Sequence, residues 1–136
     1  VMPEKETIGS EIMRGKETLL IVDDEKIVLE TTSELLRLLG YHIYKAGTGQ
    51  EALSVYHEKT NEIDLVILDM ILPGISGAET MKMLKLLDPD VKVILSSGYS
   101  IQGEAQRVME MGCVGFIQKP FNLTELSQLV HQTVCK

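Results

Sequence analysis

Residues Leu65–Gly77 read LVILDMILPGISG, and they decide the fold. Leu65 to Leu68 are apolar on both parities, so both faces of this short strand are covered. The strand ends on Asp69, and Pro73, Gly74 and Gly77 punctuate the loop that follows. Before it, TLLIVDD from Thr18 is another short apolar run ending in acids, Asp23 and Asp24. After it, VKVILSSG ends in Ser96, Ser97 and Gly98, and GFIQKP ends in Lys119-Pro120. HIYKAGTG reads as one more strand and turn.

Helical patterns lie between these strands. KIVLETTSELLRLLGY carries Val28, Thr32, Leu35, Leu36 and Leu39 on one expected face, with Gly40 as the stop. Leu29 and Leu38 fall off that stripe and are expected to be exposed, as a partner contact. QEALSVYHEKTN, AETMKMLKLLDP, EAQRVMEMG and NLTELSQLVHQTV supply the other helices. Met81, Met83, Met109 and Met111 are expected to pack on helix faces. The alternation of strand and helix, five times over, predicts a doubly wound α/β domain with a five-stranded parallel sheet. Residues 1–15 show neither period and read as a linker or flexible arm, with the domain at 16–136.

Composition fits that reading and excludes others. The chain has 136 residues, 13 Lys+Arg against 20 Asp+Glu, and a net charge of −7. Length allows one ordinary domain. An acidic balance and only 4% aromatic residues argue against a nucleic-acid surface. No apolar run approaches the roughly 20 residues needed to span a bilayer. Cys113 and Cys135 lack CxxC spacing and read as reduced thiols, which points to the cytoplasm. Cys113 is expected to be a small packing residue. His42, His57 and His131 lie in different elements without metal-ligand spacing. Gly47-Thr48-Gly49 lacks the Gly-Lys-Ser/Thr of a phosphate loop and reads as a turn.

In an open α/β sheet, ligands gather at the carboxyl ends of the strands. Asp23, Asp24, Asp69, a serine hydroxyl and Lys119 would therefore converge on one rim. Three carboxylates so close raise one another's pKa unless a cation joins them. Oxygen ligands in that number favour a hard ion, and Mg²⁺ is the natural candidate. With it, a carboxylate can act as a nucleophile toward phosphorus, while a lysine and a hydroxyl bond the phosphoryl oxygens.

LLIVDDE, LVILDMILPGISG, VILSSGY and GFIQKPF together resemble the receiver domain of two-component response regulators, from Thr18 to the C-terminus. The resemblance implies a flavodoxin-like sheet in the order 2-1-3-4-5. It implies Asp69 as phosphoacceptor, with Pro73 and Gly77 at the family spacing. Asp23 and Asp24 would hold Mg²⁺, joined by the backbone carbonyl of Met70. Lys119, before a cis Pro120, would pair with the phosphoryl group. Ser97, which precedes Gly98 and lies 22 residues before Lys119, would be the switch hydroxyl in preference to Ser96. Phe116 would be the switch aromatic. Ile71 and Tyr99 flank the path of the attacking water in such domains. Both are bulky here, which implies a long-lived acylphosphate; packing under the loop is the alternative.

The implied partners are a histidine kinase or a histidine phosphotransfer domain. Helix four, strand five and helix five form the surface expected to change, and the candidate surface for a homodimer. No nucleic-acid or membrane contact is expected of this segment, and no enzymatic activity beyond its own phosphorylation and dephosphorylation. The leading arm and SSGYSIQGEAQ resemble receivers of hybrid sensor histidine kinases, which makes such a kinase the expected parent. A stand-alone regulator is the alternative. A small Mg²⁺-dependent phosphatase would place its Asp nucleophile on the first strand in a DxD pattern, unlike Asp23-Asp24. A flavin module would need a hydroxyl- and Gly-rich loop where Asp23, Asp24 and Glu25 stand. A pseudo-receiver would lack the complete acidic set.

Overall fold

The apolar strands assemble as their composition dictates, buried on both faces. The computed structural model describes residues 12–98 and 102–134. Strands β1 (Thr18–Val22), β2 (His42–Ala46), β3 (Leu65–Asp69), β4 (Val93–Ser97) and β5 (Gly115–Gln118) are all parallel, in the order β2-β1-β3-β4-β5. Every residue of β3 and β4 is buried. Between the strands run α1 (Lys26–Leu38), α2 (Gly49–Glu58), α3 (Gly77–Leu87) and α4 (Glu104–Glu110), and α5 (Leu123–Val134) closes the chain.

Alternate strand residues feed two cores. Leu20, Val22, Val66, Leu68, Val93 and Leu95 pack with Ala52, Tyr56, Met81, Leu84, Ala105 and Val108 from α2, α3 and α4. Leu19, Ile21, Leu65, Ile67, Ile94 and Ile117 pack with Leu29, Leu36, Leu126 and Val130 from α1 and α5. The two-residue period of a strand thus assigns each side chain to one helical layer.

Local chemistry starts and stops the helices. Thr48 caps α2 by accepting the Glu51 N–H at 3.0 Å. Ser76 and Glu79 form a capping box on α3, with bonds of 3.1 Å in each direction. Asn122 and Glu125 exchange the same pair of bonds at the start of α5. After α1, Gly40 takes φ +108°, and a Cβ there would meet the Gly15 carbonyl oxygen at 2.2 Å. Only glycine admits that turn and that approach.

The stripe of α1 is rotated from expectation. Leu29 belongs to the core, with Thr32, Ser33 and Leu36, whereas Val28 and Leu35 are half-buried. The helix begins at Lys26, so Leu29, Thr32/Ser33 and Leu36 share the inward face at spacings of three and four. Val28 and Leu35 instead line a groove against α5. Leu38 is exposed as expected, at 72%. Among the methionines, Met81 is buried and Met109 packs on the core, but Met83 and Met111 are exposed.

Residues 12–15 of the expected arm lie against the domain. The Met13 N–H donates to Ser127 Oγ at 3.2 Å, and the Gly15 N–H to the Leu39 carbonyl at 3.0 Å. The remaining arm residues, 1–11, lie outside the described residues, as do Tyr99 and Cys135. Cys113 is a half-buried packing residue whose Sγ lies 3.8 Å from Met81 Sδ. Burial pushes its thiol up to about 11, so it is no ready nucleophile. Among the described residues no helix is long and apolar enough to cross a membrane.

Candidate functional site

The carboxyl ends of β1, β3 and β5 meet at one rim and bring the expected acids and the lysine together. Asp23 follows β1 directly, and its N–H donates to the Ala46 carbonyl at 3.1 Å, extending the pairing with β2. Asp69 is the last residue of β3, in register with Ser96. Lys119 follows β5, and its N–H donates to the Ser97 carbonyl at 2.7 Å. The Lys119-Pro120 peptide is cis. Carboxylate oxygens of Asp23, Asp24 and Asp69 lie within 4.8 Å of one another. Asp23 and Asp69 are buried and Asp24 is exposed.

The Lys119 ammonium answers part of this charge. Its Nζ lies 2.8 Å from Asp23 Oδ2, 3.3 Å from Asp69 Oδ2 and 3.4 Å from Glu25 Oε1. Burial alone would lower its pKa, but the hydrogen bond to Asp23 and the charge of Asp69 outweigh that and raise it. Lys119 is therefore a fixed cation. Asp69 behaves in the opposite sense. Burial first, and then the charge of Asp23, push its carboxyl up to about 6, against the attraction of Lys119 and the Ile71 N–H. At neutral pH it is still mostly ionised, yet held at a cost.

This imbalance tests the fit of a metal. Three oxygen-donor carboxylates meet here, of which only Asp23 and Asp69 reach the Lys119 ammonium, and burial together with the charge of Asp23 leaves Asp69 with a raised pKa. A hard divalent cation is the partner that such a donor set lacks. The Met70 carbonyl, expected to join the ligands, accepts the Gly77 N–H at 3.0 Å and has a second lone pair. A Cβ on Gly77 would stand 2.4 Å from that carbonyl oxygen and 2.7 Å from that of Asp69. Gly77 is thus required where α3 approaches the end of β3.

The two serines point to opposite layers. Ser96 shares the parity of Ile94 and its buried Oγ has no hydrogen-bond partner among the described residues. Ser97 shares the parity of Leu95, whose core Phe116 also packs against. Ile71 stands at the mouth, 55% exposed, while its N–H lies 3.5 Å from Asp69 Oδ1. Gly98 lines the cleft with Asp24, Glu25, Asp69, Ile71 and Lys119. Pro73 lies in the loop after Asp69, and it is exposed.

Glu25 was not among the residues that the sequence singled out for the site. Its only signal was position, directly after Asp23-Asp24. An apolar groove of about 500 Å³ between α1 and α5, lined in part by Pro120, adjoins the cleft and shares Glu25 and Lys119 with it. The three histidines contribute no ligand to the acidic cluster.

Known proteins are similar to this chain in sequence and fold. Residues 19–131 match the model of the response regulator receiver domain. The chain is 32% identical over 133 residues to the sensor kinase CckA of Brucella abortus (strain 2308), covering 98% of this chain and 14% of that protein. It is 32% identical over 114 residues to sporulation initiation phosphotransferase F of Bacillus subtilis (strain 168), covering 84% of this chain and 90% of that protein. Among solved structures, a response regulator receiver domain protein from Clostridium thermocellum superposes with a TM-score of 0.83 at 28% identity, over 88% of this chain and 94% of that one. CheY in the CheX-CheY-BeF3-Mg+2 complex from Borrelia burgdorferi superposes with a TM-score of 0.77 at 27% identity, over 85% and 87%. A matched family model over most of the length, carried on this sheet order, settles the kinship: the chain belongs to the response regulator receiver domain family.

Proposed function

We propose that Asp69 accepts a phosphoryl group from a phosphohistidine. The observation that carries this reading is the convergence at the end of β3 of buried Asp69, the Lys119 ammonium 3.3 Å away and two further acids with oxygens within 4.8 Å. In the step, an Asp69 carboxylate oxygen forms a bond to phosphorus as the bond from phosphorus to imidazole nitrogen breaks. The imidazole leaves neutral after taking a proton from solvent. Asp23, Asp24, Asp69 and the Met70 carbonyl would hold Mg²⁺, which when bound supplies positive charge for the phosphoryl oxygens. Lys119 supplies the other positive charge from the β5 end of the same rim. Its ion pair with Asp23 holds it in place before the donor arrives.

The Ser97 hydroxyl is the group that bonds a phosphoryl oxygen. It shares the strand parity of Leu95, against whose core Phe116 also packs, which supports a displaced Ser97 and an inward turn of Phe116 drawing on the same space. The face made by α4, β5 and α5 would then shift as a two-state population, driven by the phosphoryl contacts. The domain acts only on itself, forming and later hydrolysing its own acylphosphate. The donor is a histidine kinase or a histidine phosphotransfer domain, and the groove beside Lys119 and Pro120 supports a protein donor that must reach Asp69. The α4/β5/α5 face is the proposed site of any self-association. Location in the cytoplasm follows from a kinase partner.

The parent is proposed to be a hybrid sensor histidine kinase, on the likeness to CckA over nearly all of this chain. The similar coverage of a short phosphotransferase keeps the stand-alone regulator as the second reading. The test of the chemistry is incubation with phosphoramidate and Mg²⁺. The expected product is one hydroxylamine-labile phosphoryl group per chain. Label that resists hydroxylamine, or that survives the replacement Asp69→Asn, overturns the assignment.

A further inference from the structure

The run Asp23-Asp24-Glu25 brings a third consecutive acid to the start of α1, where its side chain has an ordinary use. Glu25 is the N-cap of α1, with φ −83° and ψ 106°, yet its side chain makes no capping bond. Its N–H donates to Asp23 Oδ1 at 2.9 Å, which fixes its backbone beside the pocket. The carboxylate turns to Lys119, with Oε1 at 3.4 Å from Nζ.

An ammonium has three N–H donors. Those of Lys119 face Asp23, Asp69 and Glu25. The first two partners are buried side chains, 6% and 8% exposed, and they suffice to hold the lysine. Glu25 is 63% exposed and stands at the mouth of the cleft. It therefore adds nothing that Lys119 lacks in position. What it adds is an occupied donor and a negative charge on the route that a phosphorylated molecule must take.

We propose that Glu25 competes with the incoming phosphoryl group for Lys119 and so slows phosphorylation of Asp69 by small anionic donors. This rests on the reading of Asp69 as phosphoacceptor. The pair is exposed on one side, so the restraint is modest, and salt screens it. Removing the charge would loosen Mg²⁺ binding if it changed it at all, because Glu25 belongs to the same acidic neighbourhood. A faster reaction therefore cannot come from tighter metal binding.

The test uses Glu25→Gln and Glu25→Ala with acetyl phosphate at saturating Mg²⁺. Both variants are expected to gain the phosphoryl group about two- to fivefold faster than wild type, with the gain shrinking as ionic strength rises. Fluoroberyllate, titrated with Mg²⁺ and read by NMR, is expected to bind both variants tighter by a similar factor. The Mg²⁺ dissociation constant, from calorimetry with the metal alone, is expected to be unchanged or larger. An unchanged or slower rate, an unchanged fluoroberyllate affinity, or tighter Mg²⁺ binding overturns the proposal. A wild type that takes no phosphoryl group at all overturns the reading of Asp69 instead.

Discussion

The Lys119 ammonium lies 2.8 Å from an Asp23 carboxylate oxygen although two strands, β3 and β4, separate the strands that carry them. This ion pair closes over the end of β3, where Asp69 sits, and it is the main offset to the buried acids. Lys119→Met keeps the apolar stem and deletes the charge. In Mg²⁺-free buffer at pH 7 the variant should lose about 2–3 kcal/mol, somewhat less than a fully buried pair because Lys119 is 17% exposed. Urea denaturation checks this, and millimolar Mg²⁺ should recover much of the loss.

Asp69 should make stability depend on pH in a defined direction. Its folded pKa of about 6 lies above the ordinary 3.8, so the folded chain binds this proton more tightly than the unfolded chain. The contribution to stability is complete below pH 3.8 and is lost as pH rises through 6. Ionised Asp69 therefore opposes folding at pH 7. Asp69→Asn should be more stable there by about 1–3 kcal/mol without divalent ions. The gain should fade toward pH 4, and Mg²⁺ should stabilise wild type more than the variant. Denaturation midpoints across pH, with and without Mg²⁺, decide it.

Gly77 is a close-approach residue at the floor of the site. Gly77→Ala sets a methyl group 2.4 Å from the Met70 carbonyl oxygen, so the loop after β3 must move. The expected cost is about 1–3 kcal/mol in chemical denaturation. Calorimetric titration should also show weaker Mg²⁺ binding, since the displaced carbonyl belongs to the proposed ligand set.

Ile71 presents an apolar side chain at the mouth, with no amide or carboxylate to orient an attacking water. The acylphosphate of the wild type should therefore outlast that of Ile71→Asn by about three- to tenfold. Loss of label from the purified, kinase-free proteins measures both lifetimes. Equal lifetimes would mean that Ile71 only packs.

The sequence revealed the strand ends because short apolar runs, four residues at Leu19–Val22 and Leu65–Leu68, stop abruptly at acids, and the later ones at serines or just before a Lys-Pro pair. That pattern alone places Asp23, Asp24, Asp69 and Lys119 on one rim, where the structure has them. It did not fix the rotation of α1. Val28 and Leu29 are adjacent apolar residues, and tertiary packing against the sheet and α5 sends Leu29 inward while Val28 lines the groove. Met83 looked like core because methionine suits it, but its place on α3 faces away from the sheet. Glu25 could not be paired from sequence, since its contact with Lys119 spans 94 positions and depends on a side-chain rotamer. The demand on Gly77 is likewise a tertiary approach of α3 to β3, invisible in the loop itself.

Asp69 alone should receive the phosphoryl group. Intact-protein mass spectrometry after incubation with acetyl phosphate tests it most directly. Wild type with Mg²⁺ should gain one phosphoryl mass, and wild type with a chelator or Asp69→Asn with Mg²⁺ should gain none. Equal gain in the variant would put the phosphoryl group on another residue, and no gain in wild type with Mg²⁺ would mean that Asp69 is no phosphoacceptor.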